Sequence, residues 1–188
     1  MIDELLTTIK STGNFSEEDI ELLFSSFDEL FIEKGKYFLM DGQISNHIAY
    51  IKSGLTMHCK THEGIEIPCD FTSENHWLAY LKSFNDRTPS DMCIKALEDT
   101  SLLTLSITNM QHLLKVQPKF MYLKNYYIEL SFVSNAQHSA DLAMLDAKQR
   151  YYKFMREKPD LLLRIPQYYI AAYLGIKPQS LSRIRKYG

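Results

Sequence analysis

The side chains best suited to chemistry gather near the end of the chain. Gln179, Ser180, Ser182, Arg183, Arg185 and Lys186 form a set of hydrogen-bond donors and fixed positive charges with no carboxylate among them. Such a set suits a polyanion better than a bond-breaking reaction. Gln pairs with adenine and Arg with guanine on the base edges open in a major groove, so Gln179 and Arg183 are the candidates for base contacts. Ser180, Ser182, Arg185 and Lys186 are the candidates for gripping phosphates. Just before and among them, Ile170, Leu174, Ile176, Leu181 and Ile184 recur where two short, steeply crossing helices must bury side chains against each other. Ala171 falls at their closest approach, Gly175 where a left-handed turn is needed, and Pro178 in a first helical turn that has no use for an N–H. Lys177 stands where Ser or Thr would cap the second helix, so a side-chain cap is expected to be missing. An ordinary pair of surface helices is the competing reading. The small residue, the glycine, the five apolar positions and the basic face together favour a DNA-reading helix-turn-helix.

Charge supports this reading. The net charge is only −2, but residues 146–188 hold ten Lys/Arg against three Asp/Glu, whereas the first 145 residues hold eleven against twenty. One end is built to meet phosphates and the other is not.

Other chemistries lack their residues. No Gly-x-x-x-x-Gly-Lys phosphate loop and no Gly-x-Ser-x-Gly nucleophile turn is present. His58, His62 and Glu66 do not supply the close His-x-His pair of a metal-dependent jelly roll. No cysteine precedes Cys59, which argues against an iron–sulfur cluster, and Cys59, Cys69 and Cys93 read as free thiols. His47, His76, His112 and His138, like the other histidines, read as partly exposed surface residues. The expectation is therefore no catalytic residues, no metal and no cofactor. No apolar run is long enough to span a membrane, and Met-Ile-Asp-Glu lacks the layout of a signal peptide, so a cytoplasmic protein is expected.

Several elements must position the basic helix. Ile2–Lys10 and Ser16–Ser26 have helical periodicity, with Ser16 as N-cap. From Glu29 to Ser106 short β-type runs follow: Leu30–Glu33, Tyr37–Met40, Ile48–Lys52, Leu55–Lys60, Glu66–Phe71, Met92–Ala96 and Leu102–Ser106. Many short strands imply a barrel, sandwich or jelly roll. A second helical region is expected after Pro118. In it Leu123, Tyr126, Leu130, Val133, Gln137, Ala140 and Met144 alternate at spacings of three and four, which marks a helix-to-helix seam between two copies. Packing of this helix on its own β-domain is the alternative. Gln137 would fix register in the seam. Asp146 then caps a new helix that Pro159 stops, and residues 160–165 bridge to the helix-turn-helix.

Helices, β-roll, long helix and terminal helix-turn-helix, in that order, resemble the Crp-Fnr family of bacterial transcription regulators over nearly the whole chain. Tyr50-Ile51-Lys52-Ser53-Gly54 resembles a strand and turn of that family's β-roll, and Glu63-Gly64 the hairpin that follows. Leu142-Ala143-Met144-Leu145-Asp146 is similar to its hinge. Residues 170–176 with 181–186 are the strongest match. The resemblance implies an α+β protein: a sensor β-roll (double-stranded jelly roll) with flanking helices over residues 1–117, a dimerisation helix over 118–145, and an all-α helix-turn-helix domain over 146–188 without a full wing. It also implies double-stranded DNA and a second copy as partners, with RNA polymerase and an unidentified small-molecule effector beside them.

The departures from the family are specific. Ala79-Tyr80 stands where cyclic-nucleotide binders carry Gly-Glu, and Pro89-Ser90-Asp91 where they carry Arg-Ser-Ala, with Arg87 displaced by two positions. Without the phosphate-pairing arginine, and with Asp91 adding repulsion, no useful affinity for cAMP or cGMP is expected. Trp77, Tyr80, Leu81, Phe84, Arg87, Ser90 and Asn135 would border any remaining ligand pocket, or the aromatic ones simply fill the roll. The remaining alternative is a ligand-binding or interaction β-roll whose terminal helices only pack.

Overall fold

A computed structural model describes residues 2–187. The chain begins with α1 (Ile2–Thr12) and α2 (Glu17–Ser25). Ser16 caps α2 reciprocally: its hydroxyl accepts the Asp19 N–H, and the Asp19 carboxylate accepts the Ser16 N–H at 2.6 Å. Eight strands follow: β1 (Asp28–Ile32), β2 (Tyr37–Leu39), β3 (His47–Ser53), β4 (Leu55–His62), β5 (Ile65–Ser73), β6 (Trp77–Leu78), β7 (Cys93–Ala96) and β8 (Thr100–Ser106), with the short α3 (Leu81–Asp86) inserted after β6. They form two antiparallel four-stranded sheets, ordered β1-β8-β3-β6 and β2-β7-β4-β5. Then come α4 (Ile107–Val116), α5 (Phe120–Met144), α6 (Ala147–Glu157), α7 (Leu161–Arg164), α8 (Gln167–Tyr173) and α9 (Pro178–Tyr187). The expected α+β architecture with a β-roll is the observed one. Among the described residues no helix is long and apolar enough to cross a membrane.

All seven expected strands are present, and four elements were not expected. β6 is two residues long, too short to show alternation. Helix α4 precedes Pro118, which corrects the start of the second helical region. The Ser106 hydroxyl caps it by accepting the Asn109 N–H at 3.0 Å, a signal hidden by the strand that Ser106 also ends. The inserted α3 and the single-turn α7 are too short for periodicity to reveal.

Each sheet has one face inside the roll and one covered by helices. Ile32, Leu39, Ala49, Ile51, Leu78, Ile94, Ala96 and Leu102 fill the roll. Leu5, Ile9, Phe15, Ile20, Leu23, Phe120 and Leu123 from the helices pack with Tyr50 and Leu103 outside one sheet. Outside the other, Leu55, Met57, Cys59, Phe71, Cys93 and Leu97 are sealed by Phe154, Leu161, Ile165, Tyr169, Ile170 and Tyr173 of the C-terminal helices. Burial of each such large side chain contributes about 1.5–3 kcal/mol.

A β-bulge sets up this second layer. Cys59 pairs with Pro68 but His58 with Asp70, so Cys69 is an extra residue in β5. The bulge shifts the alternation by one, which brings Phe71 opposite Met57 on the face that the C-terminal helices cover.

Candidate nucleic-acid interface

The turn between α8 and α9 is fixed by backbone bonds. Gly175 adopts φ +62°, its N–H donates to the Ala172 carbonyl at 3.0 Å, and the Ile176 N–H reaches the Ala171 carbonyl at 2.8 Å. This pair of bonds is a Schellman ending, in which the left-handed residue costs glycine least. Helix α9 starts at Pro178, with the Lys177 carbonyl accepting from Ser180 and Leu181 at 2.9 and 3.0 Å. Ile170, Ala171, Leu174, Ile176 and Leu181 are buried between the two helices, and Ile184 packs partly buried against them.

Arg150 of α6 braces the turn. Its Nε donates to the Leu174 carbonyl at 2.7 Å, one terminal nitrogen donates to the Leu145 carbonyl, and the other reaches Gly175 O at 3.5 Å. These are carbonyls that helix ends leave without partners. The guanidinium thereby ties the Asp146 hinge to the end of α8. No sequence pattern pointed to Arg150, because its acceptors are backbone atoms up to 25 residues away.

Gln179, Ser180, Ser182, Arg183, Arg185 and Lys186 are all exposed on α9. Gln179, Arg183 and Lys186 stand at i, i+4 and i+7, so they share one stripe with Ser182 beside it. Ser180 and Arg185 fall on its flanks. The structure thus brings all six together and places the two base-contact candidates at the centre.

The opposite side of this unit meets the roll. Tyr173 packs edge-on against Phe71 at 5.2 Å between centroids, and the His138 ring of α5 stacks on it at 4.1 Å. The Glu66 carboxylate accepts from Tyr169 at 2.7 Å, Tyr37 at 2.6 Å and Lys95 at 2.7 Å. Burial pushes the Glu66 pKa up, but these three donors outweigh it and hold the carboxyl below its ordinary value. Arg164 forms forked bonds to Glu98 at 2.6 and 3.0 Å and to Glu74 at 2.8 and 2.9 Å. Glu74 is likewise pushed up by burial and brought below its ordinary value by Arg164 and backbone N–H groups. Arg164 and Tyr169 are 66 to 103 positions from their carboxylate partners, so no local motif could have revealed them.

The seam on α5 needs one correction. Leu123 is 5% exposed and belongs to the chain's own core with Phe15 and Phe120, because the first turns of α5 lie against the N-terminal helices. Tyr126, Leu130, Val133, Gln137 and Met144 are exposed, Val133 at 64% and Met144 at 82%, and Ala140 is half-buried. Gln137 donates to Asp141 at 2.9 Å within its own helix.

A cavity of about 1150 Å³ opens between the roll and α5, and Trp77, Tyr80, Leu81, Phe84 and Asn135 border it. Arg87 and Ser90 do not, which corrects the expected pocket. Arg87, at φ +58°, donates to the Ser45 carbonyl at 2.7 Å and to the Asn46 side chain. The buried Ser90 hydroxyl donates to Met92 O at 2.7 Å. Both are consumed where the 87–92 loop closes on the 42–46 loop. Beside them Asp91 accepts from Lys60 at 2.8 Å and from Tyr80. Lys60 first, then Tyr80, lowers its pKa to about 2. Among the described residues no three His, Cys, Asp or Glu side chains gather as a metal ion would require.

No family model and no curated protein matches the chain by sequence. Solved structures do match by shape. FixK2 of Bradyrhizobium japonicum superposes with a TM-score of 0.75 at 14% identity, over 85% of this chain and 83% of that one. The c-di-GMP-responsive global regulator CLP of Xanthomonas campestris gives 0.71 at 14% identity, over 91% and 90% of the two chains. A crp/fnr-family regulator from Eubacterium rectale gives 0.71 at 18%, over 93% and 83%. A β-roll, a long helix and a helix-turn-helix in this order and this arrangement are the Crp-Fnr fold, and that is the fold of this chain.

Proposed function

We propose that the chain is a homodimeric, sequence-specific DNA-binding regulator of transcription, of the Crp-Fnr type and not an enzyme. Residues 1–117 form its sensor roll, 118–145 its dimerisation helix and 146–188 its DNA-binding domain. The observation that carries this reading is the stripe of Gln179, Arg183 and Lys186 on a helix held rigid by the α8–α9 turn and by Arg150. Gln179 and Arg183 read base edges, and Ser180, Ser182, Arg185 and Lys186 hold phosphates. The exposed run Tyr126, Leu130, Val133 and Met144 supports pairing of α5 with its copy. As a regulator of this kind the protein acts in the cytoplasm and meets RNA polymerase.

The cavity beside α5 is the place for a small-molecule effector, and the 89–91 segment disfavours a cyclic nucleotide as that effector. By the resemblance Pro89 stands where a cyclic phosphate would need an arginine, and Asp91, engaged by Lys60 and Tyr80, adds negative charge beside it.

Selection from random duplex DNA tests the reading. The expected outcome is a two-fold symmetric site with half-site centres about 10–11 base pairs apart, bound more weakly as salt rises. Absence of salt-dependent DNA binding by the purified protein would contradict it and leave a ligand-binding or interaction roll.

A further inference from the structure

The helix-turn-helix is attached to the roll at two separated points. Arg164, just before α8, holds Glu74 beyond one end of β5 and Glu98 in the β7–β8 turn. Glu74 also accepts the Gly54 N–H of the β3–β4 turn at 2.8 Å, so one guanidinium gathers three turns at one end of the sandwich. At the other end Tyr169 of α8 donates to Glu66 at 2.7 Å, and Lys95 and Tyr37 lock that carboxylate in turn. Eight residue steps along β5 separate Glu66 from Glu74, about 25 Å. Between them Phe71 packs on Tyr173.

A single hinge at Asp146 would leave α9 able to swing, whereas two bonds that far apart with a ring contact between them remove the rotation. The attachment does not cover the recognition face, since Tyr169 and Tyr173 are buried against the roll while Gln179 and Arg183 are exposed. Fork-shaped bonds from one arginine to two carboxylates fix direction as well as distance.

We infer that Arg164 and Tyr169 are positioning residues, which peg the helix-turn-helix to both ends of β5 and thereby set the spacing and mutual orientation of the two recognition helices in the dimer. This rests on the reading above that α9 enters DNA as one of a pair. Half-site spacing is then a property of the contact between roll and helix-turn-helix, and not of the hinge alone.

The test compares wild type, Arg164→Gln and Tyr169→Phe on three kinds of duplex: the selected site, sites with the half-site separation changed by one base pair, and a single half-site. Tyr169→Phe keeps the ring and removes one hydroxyl, so it reports even where Arg164→Gln folds poorly. Arg164→Gln is expected to reduce discrimination between the selected and altered spacings about tenfold, and Tyr169→Phe about threefold. Affinity for the single half-site should stay within about twofold, because surface reading is independent of the pegs. Adding Glu98→Gln to Arg164→Gln should change little, since the two share one interaction. Undiminished spacing discrimination in both variants overturns the inference, as does an equal loss on the single half-site. A wild-type protein that binds no DNA instead overturns the functional reading beneath it.

Discussion

The two sides of the helix-turn-helix use the same residue types for opposite ends. On the roll side, Arg164 spends its charge on two carboxylates and Tyr169 its hydroxyl on a third, inside a layer that buries Phe71, Phe154 and Tyr173. On the outer side, Arg183 and Arg185 are exposed on α9 together with Gln179, Ser182 and Lys186. Charge paired with the roll holds the unit in place, and the proposed DNA contacts draw on the charge exposed on α9. The excess of positive charge over residues 146–188 thus divides between charges paired with the roll's carboxylates and charges exposed on α9.

This contrast can be broken by mutating each side and asking which property moves. The largest effect belongs to the roll side: Phe71→Ala removes the ring beneath Tyr173 and should cost about 3–5 kcal/mol of stability, measured by denaturant unfolding. Arg183→Ala should do the reverse. It should weaken binding to the selected site by about 1–3 kcal/mol and relax preference at one base pair, while unfolding stays within about 0.5 kcal/mol of wild type. A stability loss in Arg183→Ala comparable to that of Phe71→Ala would erase the distinction between the sides.

A smaller effect sharpens it. Glu66 and Glu74 have folded pKa values below the ordinary glutamate value of about 4.5. A depressed folded pKa means that their stabilisation is complete above that value and disappears as pH falls through the lowered ones. As pH falls below that ordinary value the pegs should therefore loosen, with a contribution on the order of 1 kcal/mol, since both carboxylates are partly exposed and screened. Thermal unfolding followed from pH 6 to pH 3 should show a shallower acid decline in Glu66→Gln/Glu74→Gln than in wild type. Identical declines would show that other carboxylates carry the acid sensitivity.

The outer side was legible in the sequence and the roll side was not, for a physical reason. A helix-turn-helix is local: Gly175, Pro178, the apolar spacing and the basic face lie within twenty residues, and each leaves a mark on the string. The strands other than the two-residue β6 were legible for the same reason, through alternation and their turn residues. Arg164, Tyr169, Glu66, Glu74 and Glu98 meet only after the chain has folded back over tens of residues, and a surface arginine looks the same whether its partner is a phosphate or a glutamate. The pocket went partly wrong on similar grounds. Arg87 and Ser90 carry suitable chemistry, but Ser45 and Asn46 take the Arg87 guanidinium and Met92 takes the Ser90 hydroxyl. Leu123 fitted the seam by spacing, and only the position of the N-terminal helices showed that it belongs inside.

Salt titration of binding to the selected duplex, by fluorescence anisotropy, tests the central claim most directly. If the exposed face of α9 grips phosphates from both copies, the logarithm of affinity should fall linearly with the logarithm of salt concentration, with a slope of about −0.9 for each phosphate neutralised, and Arg185→Ala should make that slope shallower. Binding that is absent, or that does not respond to salt, would contradict the account.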